Sequence, residues 1–279
     1  MTTILDGKKL RDKIIENLKT KVDKFDKKPT LVVILVGENP ASKIYVNNKK
    51  KMAEKIGINS EVINYPANIT EDELLNKIEE LNNDKNVTAI LVQLPLPNHI
   101  SKDNVMNKIT PSKDVDGFTP YNFGKLFSGE IPTVYPCTPK GILLLLDEYN
   151  IDLEGKHVVI VGRSNIVGRP LSQMMLNRNA TVTVCHSHTK NLSQITKTAD
   201  VLVSAVGKNI IEGEMLKTNC VIVDVGIFKD ENGKTRGDVD FKSASKIASF
   251  ISPVPGGVGP MTIASLMLNT VELFEKNSL

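Results

Sequence analysis

Tyr45 and Lys49 stand four residues apart in a stretch, 41–56, whose pattern predicts a helix, so their side chains share one face. A lysine held near a phenol in a partly apolar site is suited to carry a proton, with its pKa lowered. Lys49 also opens a run of three lysines, for which a solvated face is the plain alternative; the spacing from Tyr45 singles it out. Gln93 lies near the end of the apolar run Val87–Leu94, just before Pro95 and Pro97. Carboxyl ends of parallel strands are where ligands bind, and a polar side chain there requires a partner. That partner is a ligand, Lys49 or the local backbone. Asp116, within Asp114-Val115-Asp116-Gly117, is either a turn acid or a carboxylate that accepts hydrogen bonds from an amino-heterocycle.

A second set of residues points to a nucleotide. In HVVIVGRSNIVGRP, residues 157–170, a short apolar strand breaks at Gly162 and a helix is predicted over Ile166–Asn177. This layout aims backbone N–H groups and a positive helix end at a phosphate. The spacing is a variant of the dinucleotide fingerprint: Ser164 takes the second glycine's place and Gly168 comes one residue late. A tight structural turn is the alternative. A further strand, Thr181–Cys185, runs into His186-Ser187-His188-Thr189-Lys190, which holds no acid. NAD-binding strands end in a carboxylate for the ribose hydroxyls, and that charge would repel a 2′-phosphate. Hydroxyls, a cation and the nearby Arg163 read as NADP rather than NAD, against the bland reading of a polar loop. In Pro255-Gly256-Gly257-Val258-Gly259-Pro260 the prolines brace the backbone and the missing Cβ atoms let a flat ring approach.

These residues need a scaffold, and the rest of the chain supplies one. Its 279 residues, 41% hydrophobic, suffice for two modest domains. Strands at Thr30–Val36, Ile58–Tyr65 and Val87–Leu94 alternate with helices over 6–26, 41–56 and from the Thr70–Glu73 capping box onward. The alternation predicts a parallel sheet with helices on both faces. Residues 110–137 read as a long irregular loop, followed by a helix over Lys140–Tyr149. A second αβ half follows, with strands at Val158–Val161, Thr181–Cys185, Val201–Ser204 and Val221–Val225 and a last helix over Met261–Glu275. The net charge of +3 argues against a nucleic-acid partner. No long apolar span or signal peptide argues for a membrane or export. Cys137, Cys185 and Cys220 form no C-x-x-C pair, which fits a reducing cytoplasm. Cys185, His186 and His188 alternate across a strand and make a poor metal cage, so no metal is expected.

Taken together, SKIYVNNKKKMAEKIGI, VQLPLP, KDVDGF, PCTPKG, VVIVGRSNIVGRP, TVCHSHT, VDVGI and ISPVPGGVGPMT resemble the bifunctional methylenetetrahydrofolate dehydrogenase/methenyltetrahydrofolate cyclohydrolase family, from about residue 3 to residue 275. The resemblance implies Lys49 as the catalytic lysine, Tyr45 lining the pterin site, Gln93 holding the lysine and Asp116 binding the pterin. Pro255, Gly256 and Gly257 would flank the substrate. Gly162, Arg163, Ser164, Ile166, Gly168, Ser187 and Ile227 would contact NADP, and His188 stands where several relatives carry lysine. The implied fold is two α/β domains with a cleft between them. Residues 1–139 would bind a tetrahydrofolate-type substrate, residues 140–261 would form a Rossmann-like NADP domain, and a C-terminal helix, 262–279, would return to the first. The implied enzyme is a cytoplasmic homodimer that oxidises 5,10-methylenetetrahydrofolate and hydrolyses the product to 10-formyltetrahydrofolate, in one-carbon metabolism and purine biosynthesis. Two rival readings are a short-chain dehydrogenase, whose Tyr-x-x-x-Lys pair follows its glycine loop rather than preceding it, and a non-catalytic nucleotide sensor.

Overall fold

The computed structural model describes residues 2–277. The chain opens with β1 (Thr3–Ile4) and α1 (Gly7–Asp23). It divides into two compact units. One joins Lys13–Cys137 to the chain from Ile263 onward; the other joins the residues up to Asp12 to Thr138–Thr262. Among the described residues, no helix is long and apolar enough to cross a membrane.

In the unit holding Lys49, β2 (Thr30–Val36) lies between β3 (Asn59–Tyr65) and β4 (Ala89–Val92), and both pairings are parallel. β2 is buried on both faces. Leu31, Val33 and Leu35 point into one core with Ile15, Leu18, Val22, Val46 and Ala53. Val32, Ile34 and Val36 point into the other with Leu74, Ile78 and Val105. The two-residue period of a strand makes this division, and it explains why the sequence is a continuous apolar run rather than an alternating one. Two helices, α2 (Pro40–Ile56) and α3 (Glu71–Asn83), are started by side-chain caps at Asn39 and Thr70. α2 is ended by Gly57 at φ 84°, a left-handed stop that glycine adopts without strain. The next helix is α4 (Lys102–Lys108). Residues 110–137 are not the uninterrupted loop that their Pro and Gly content suggests. They contain α5 (Pro120–Phe127), opened by Thr119 as cap and Pro120 in the first turn.

The other unit starts with α6 (Cys137–Glu148), β5 (His157–Val161), α7 (Gly168–Leu176), β6 (Thr181–Cys185), α8 (Leu192–Thr196) and β7 (Val201–Ser204). It continues with β8 (Val221–Asp224), a small antiparallel hairpin of β9 (Phe228–Lys229) and β10 (Thr235–Arg236), α9 (Phe241–Ala244) and β11 (Phe250–Ile251). The chain closes with α10 (Val258–Asn277). The main sheet has the order β1-β11-β8-β7-β5-β6, parallel throughout. From β5 the chain moves outward to β6, then returns to the other side of β5 as β7. That reversal is the switch point at which open α/β sheets bind ligands.

The residues up to Asp12 cluster with this second sheet, where β1 pairs with β11 at the edge. A two-residue strand carries no periodic signal. α10 begins at Val258, inside the glycine loop, three residues before the expected Met261.

Candidate active site

Lys49 is placed by the packing of α2. Ser42, Val46, Ala53 and Ile56 are its buried residues, and Lys49 falls three after Val46 and four before Ala53, in the same stripe. It is therefore partly buried, and its Nζ donates to Gln93 Oε1 at 3.0 Å. Lys50 pairs instead with Glu54 at 3.8 Å on the outer side of the helix, and Lys51 is exposed. Tyr45, one turn before Lys49, is 43% exposed, an open position for an aromatic ring. Gln93 follows directly on β4, its backbone N still donating to Ile34 O at 2.9 Å. Its amide Nε2 donates to Leu94 O at 2.7 Å, which turns Oε1 toward the lysine.

The two acids of Asp114-Val115-Asp116-Gly117 have separate tasks that the sequence does not distinguish. Asp114 is 2% exposed and accepts from Phe118 N at 3.1 Å, Thr119 N at 2.8 Å and Asn122 Nδ2 at 2.8 Å. It builds the turn into α5. Asp116 instead faces Lys49 and the Cys137 thiol. Burial pushes the Asp116 carboxyl above the usual carboxylate range, and Asp114 adds to the push, while the Lys49 cation pulls it down. The segment is fixed from α10. Asn269 donates through Nδ2 to Val115 O at 2.8 Å and Tyr135 O at 2.9 Å, and Cys137 Sγ lies 3.5 Å from Val115 O. Asn269 was not among the residues picked from the sequence. A fully buried asparagine among apolar neighbours on the last helix was the available signal.

In the other unit the turns after β5 and β6 are shaped mainly by backbone. Gly162 ends β5 at φ 120°, and a Cβ there would stand 2.6 Å from Ala205 O, at the end of β7. A Cβ on Gly168 would stand 2.0 Å from Gly162 O. Both positions thus require glycine, which explains why the late glycine does not spoil the turn. Ser164 Oγ accepts from Val167 N at 3.2 Å, and Val167 gives the start of α7 no side-chain cap. Arg163, Ser164 and Ile166 are exposed around this turn. Beyond β6, Thr189 closes a second turn. Its Oγ1 accepts from His186 N at 2.8 Å and its N donates to His186 O at 2.8 Å. Ser187 and His188 stand exposed on it. Ile227, 49% exposed, follows β8, with its carbonyl near Gly207 and its Cδ1 near Gly259.

Pro255, Gly256 and Gly257 belong to this same unit. Their glycines already have structural work: Gly256 sits at φ 120° and its O accepts from Lys8 N at 3.1 Å, and a Cβ on Gly257 would press on Ser252 at 2.7 Å.

This chemistry has known counterparts. The family model described as tetrahydrofolate dehydrogenase/cyclohydrolase, catalytic domain, matches residues 5–116, and that family's NAD(P)-binding domain matches residues 136–278. A protein of Hydrogenobaculum sp. named bifunctional protein FolD is 55% identical over 275 residues, covering 98% of this chain and 99% of its own. The crystal structure of the bifunctional enzyme FolD, methylenetetrahydrofolate dehydrogenase/cyclohydrolase, from Campylobacter jejuni superposes with a TM-score of 0.98 at 52% identity, over 100% of both chains. The Trypanosoma brucei N5,N10-methylenetetrahydrofolate dehydrogenase-cyclohydrolase, complexed with NADP cofactor and inhibitor, gives a TM-score of 0.95 at 35% identity, over 99% of this chain and 98% of its own.

Proposed function

The chain belongs to the tetrahydrofolate dehydrogenase/cyclohydrolase family, and from that premise we propose how its residues divide the work of two reactions. The enzyme oxidises 5,10-methylenetetrahydrofolate to 5,10-methenyltetrahydrofolate with NADP⁺, then hydrolyses the product to 10-formyltetrahydrofolate, two steps of one-carbon metabolism.

NADP⁺, when bound, supplies the acceptor for the hydride that leaves the methylene carbon. The residues fit such a group: space at the β5–β7 switch point is kept by Gly162 and Gly168, and no carboxylate follows β6. Gly162, Arg163, Ser164, Ile166 and Gly168 hold its phosphates, Ser187 with Arg163 selects the 2′-phosphate, and Ile227 borders the nicotinamide end. On the folate side, Asp116 accepts from the pterin's amino-heterocycle, Tyr45 lines the ring site, and Pro255, Gly256 and Gly257 flank the substrate.

Oxidation needs positioning but no acid or base. Hydrolysis needs both: water adds to the methenyl carbon, the bond from that carbon to N5 breaks, N5 takes up a proton and one proton is released. Lys49 Nζ moves the proton, and Gln93 Oε1 holds Nζ in place. That 3.0 Å bond, beside the half-buried Asp116 carboxyl, is the observation that carries the reading. The same reading makes the protein a cytoplasmic homodimer whose product serves purine biosynthesis, on the strength of kinship.

Lys49→Gln tests it. The cyclohydrolase rate on methenyltetrahydrofolate, corrected for solvent hydrolysis, is expected to fall by about 10²–10⁴-fold, the usual range for a lost acid–base group. The dehydrogenase rate falls less, and Lys50→Gln changes neither. Full cyclohydrolase activity in Lys49→Gln would sink the assignment.

A further inference from the structure

Ser204, Asp224 and Asp238 are buried polar residues in the nucleotide unit that neither reaction uses. The Asp238 carboxylate is filled on both oxygens. Oδ2 accepts from Ser204 Oγ at 2.8 Å and Val206 N at 2.7 Å, and Oδ1 accepts from Lys208 N at 2.8 Å. Its backbone O accepts again, from Ile210 N at 2.9 Å and Ile211 N at 3.1 Å. Asp238 thus holds the chain at five points from Ser204 to Ile211, the segment that leaves β7.

Asp224, at the end of β8, holds Asp238 in turn. It accepts from Asp238 N at 2.9 Å, Val239 N at 3.0 Å and Gly226 N at 3.1 Å. Space for the pair is kept by two glycines: a Cβ on Gly226 would lie 1.8 Å from Asp238 Oδ1, and one on Gly237 would lie 2.0 Å from Asp224 Oδ2. Ser252, where the Pro-Gly loop begins, accepts through Oγ from Asp224 N at 2.7 Å. The segments after β7, β8 and β11 are therefore tied together at the carboxyl edge of the sheet.

The segment after β7 matters because it forms one wall of the glycine cradle. Ala205 N donates to Val161 O at 2.8 Å, and Ala205 O is the atom that a Cβ on Gly162 would strike. Val206 beside it is 38% exposed.

We infer that Asp238 is a positioning residue for the dinucleotide: it holds Ala205–Lys208 so that this wall keeps the shape the cofactor requires. The inference rests on the NADP-binding reading above. Asp238 touches no substrate atom; it acts through the backbone of Val206 and Lys208. Asn in its place presents an N–H to at least one donor that the carboxylate accepts, so the wall loses an anchor while the side chain keeps its volume.

The test is the Kd of NADP⁺ by calorimetry and the nucleotide-free cyclohydrolase rate, for the wild type, Asp238→Asn and Ser204→Ala. Asp238→Asn is expected to weaken NADP⁺ binding by about tenfold or more, and Ser204→Ala by a few-fold, since hydrogen bonds to a charged group are the strong ones. Hydrolysis of methenyltetrahydrofolate stays within about twofold. A purely structural role would lower the active fraction and so both activities, leaving Kd unmoved. An unchanged Kd in both variants, or parallel loss of binding capacity and hydrolysis, overturns the inference. If Asp238→Asn does not fold, the Kd of Ser204→Ala decides. A wild type that binds NADP⁺ without turning over methylenetetrahydrofolate refutes the functional reading and leaves this comparison of Kd values in force; one that binds no NADP⁺ refutes both.

Discussion

In the unit that carries Lys49, the proposed chemistry rests on side-chain atoms. Nζ is held by Gln93 Oε1, and the Asp116 carboxyl faces Lys49 from a segment anchored by Asp114 and Asn269. In the unit that carries Gly162, it rests on backbone and on missing atoms. Two absent Cβ atoms leave the turn open, and buried acids such as Asp238 serve the main chain. The contrast follows from the reactions. Moving a proton requires a titratable group at a defined point. Accepting a hydride requires a shaped cavity, which rigid backbone makes well. Substitutions should therefore split the two activities in opposite directions, according to the unit they fall in.

Gly162→Ala gives the largest effect expected on the nucleotide side. The new methyl group meets Ala205 O at 2.6 Å, on a backbone at φ 120° that alanine rarely adopts. The cradle must shift, and misplacement by about 1 Å costs about 10²-fold in rate. Dehydrogenase activity falls by at least that much while cyclohydrolase activity holds, the mirror image of Lys49→Gln. Equal loss of both rates would erase the contrast.

Asp116→Asn sharpens it on the folate side. Both substrates carry the pterin, so both rates fall, by about tenfold or more, with the Kd of NADP⁺ unchanged. Stability moves the other way. The folded Asp116 carboxyl sits above its ordinary 3.8, so the folded protein keeps a proton that the unfolded chain has released. That contribution is lost as pH rises through the folded value. Asparagine escapes the loss, and its melting temperature at neutral pH should exceed that of the wild type. A lower melting temperature would make Asp116 a structural acid like Asp114.

Ser187→Asp is a smaller change. It places a carboxylate where β6 has none, and the ratio of kcat/KM for NADP⁺ over NAD⁺ should drop by about tenfold. An unchanged ratio would remove Ser187 from the 2′-phosphate site.

Much of this arrangement was legible in the residues. β2 and β5 are apolar runs that only a doubly covered parallel sheet buries, and the Thr70–Glu73 capping box marks where α3 begins. Lys49 was legible through Tyr45, and more securely through its place in the Val46–Ala53 stripe. What stayed hidden depends on contacts far apart in sequence. The pairing of β1 with β11 joins residues 3 and 250. The tasks of Asp114 and Asp116 separate only once Thr119 and Asn122 fold back onto one of them. Asp238 looks like a surface turn acid until Ser204, Val206 and Lys208 close around it.

The smallest expected effect is read in stability alone and concerns the buried acid Asp224. Asp224 is 4% exposed, and burial pushes its carboxyl up to about 7, with the Asp238 charge adding to the push and three backbone N–H donors opposing it. It lines an open cavity with Phe228, Arg236, Gly237 and Val254, which gives its proton a path to solvent. The unfolded chain releases this proton near the ordinary 3.8, whereas the folded protein keeps it to about 7. Between those values the folded state binds more protons, so stability falls with rising pH, by at most about 1.4 kcal/mol per pH unit for one proton. The contribution is whole below the unfolded value and gone above the folded one. Asparagine does not titrate, and its Nδ2 cannot accept from Val239 N as Oδ2 does, a loss that is independent of pH. From pH 5 to pH 8 the melting temperature of Asp224→Asn should therefore rise by several degrees relative to that of the wild type. Neither melting curve should change the contrast at Lys49, because Asp224 belongs to the other unit. A gap between the two proteins that stays constant from pH 5 to pH 8 would show that Asp224 remains ionised throughout, and that its three N–H donors outweigh its burial.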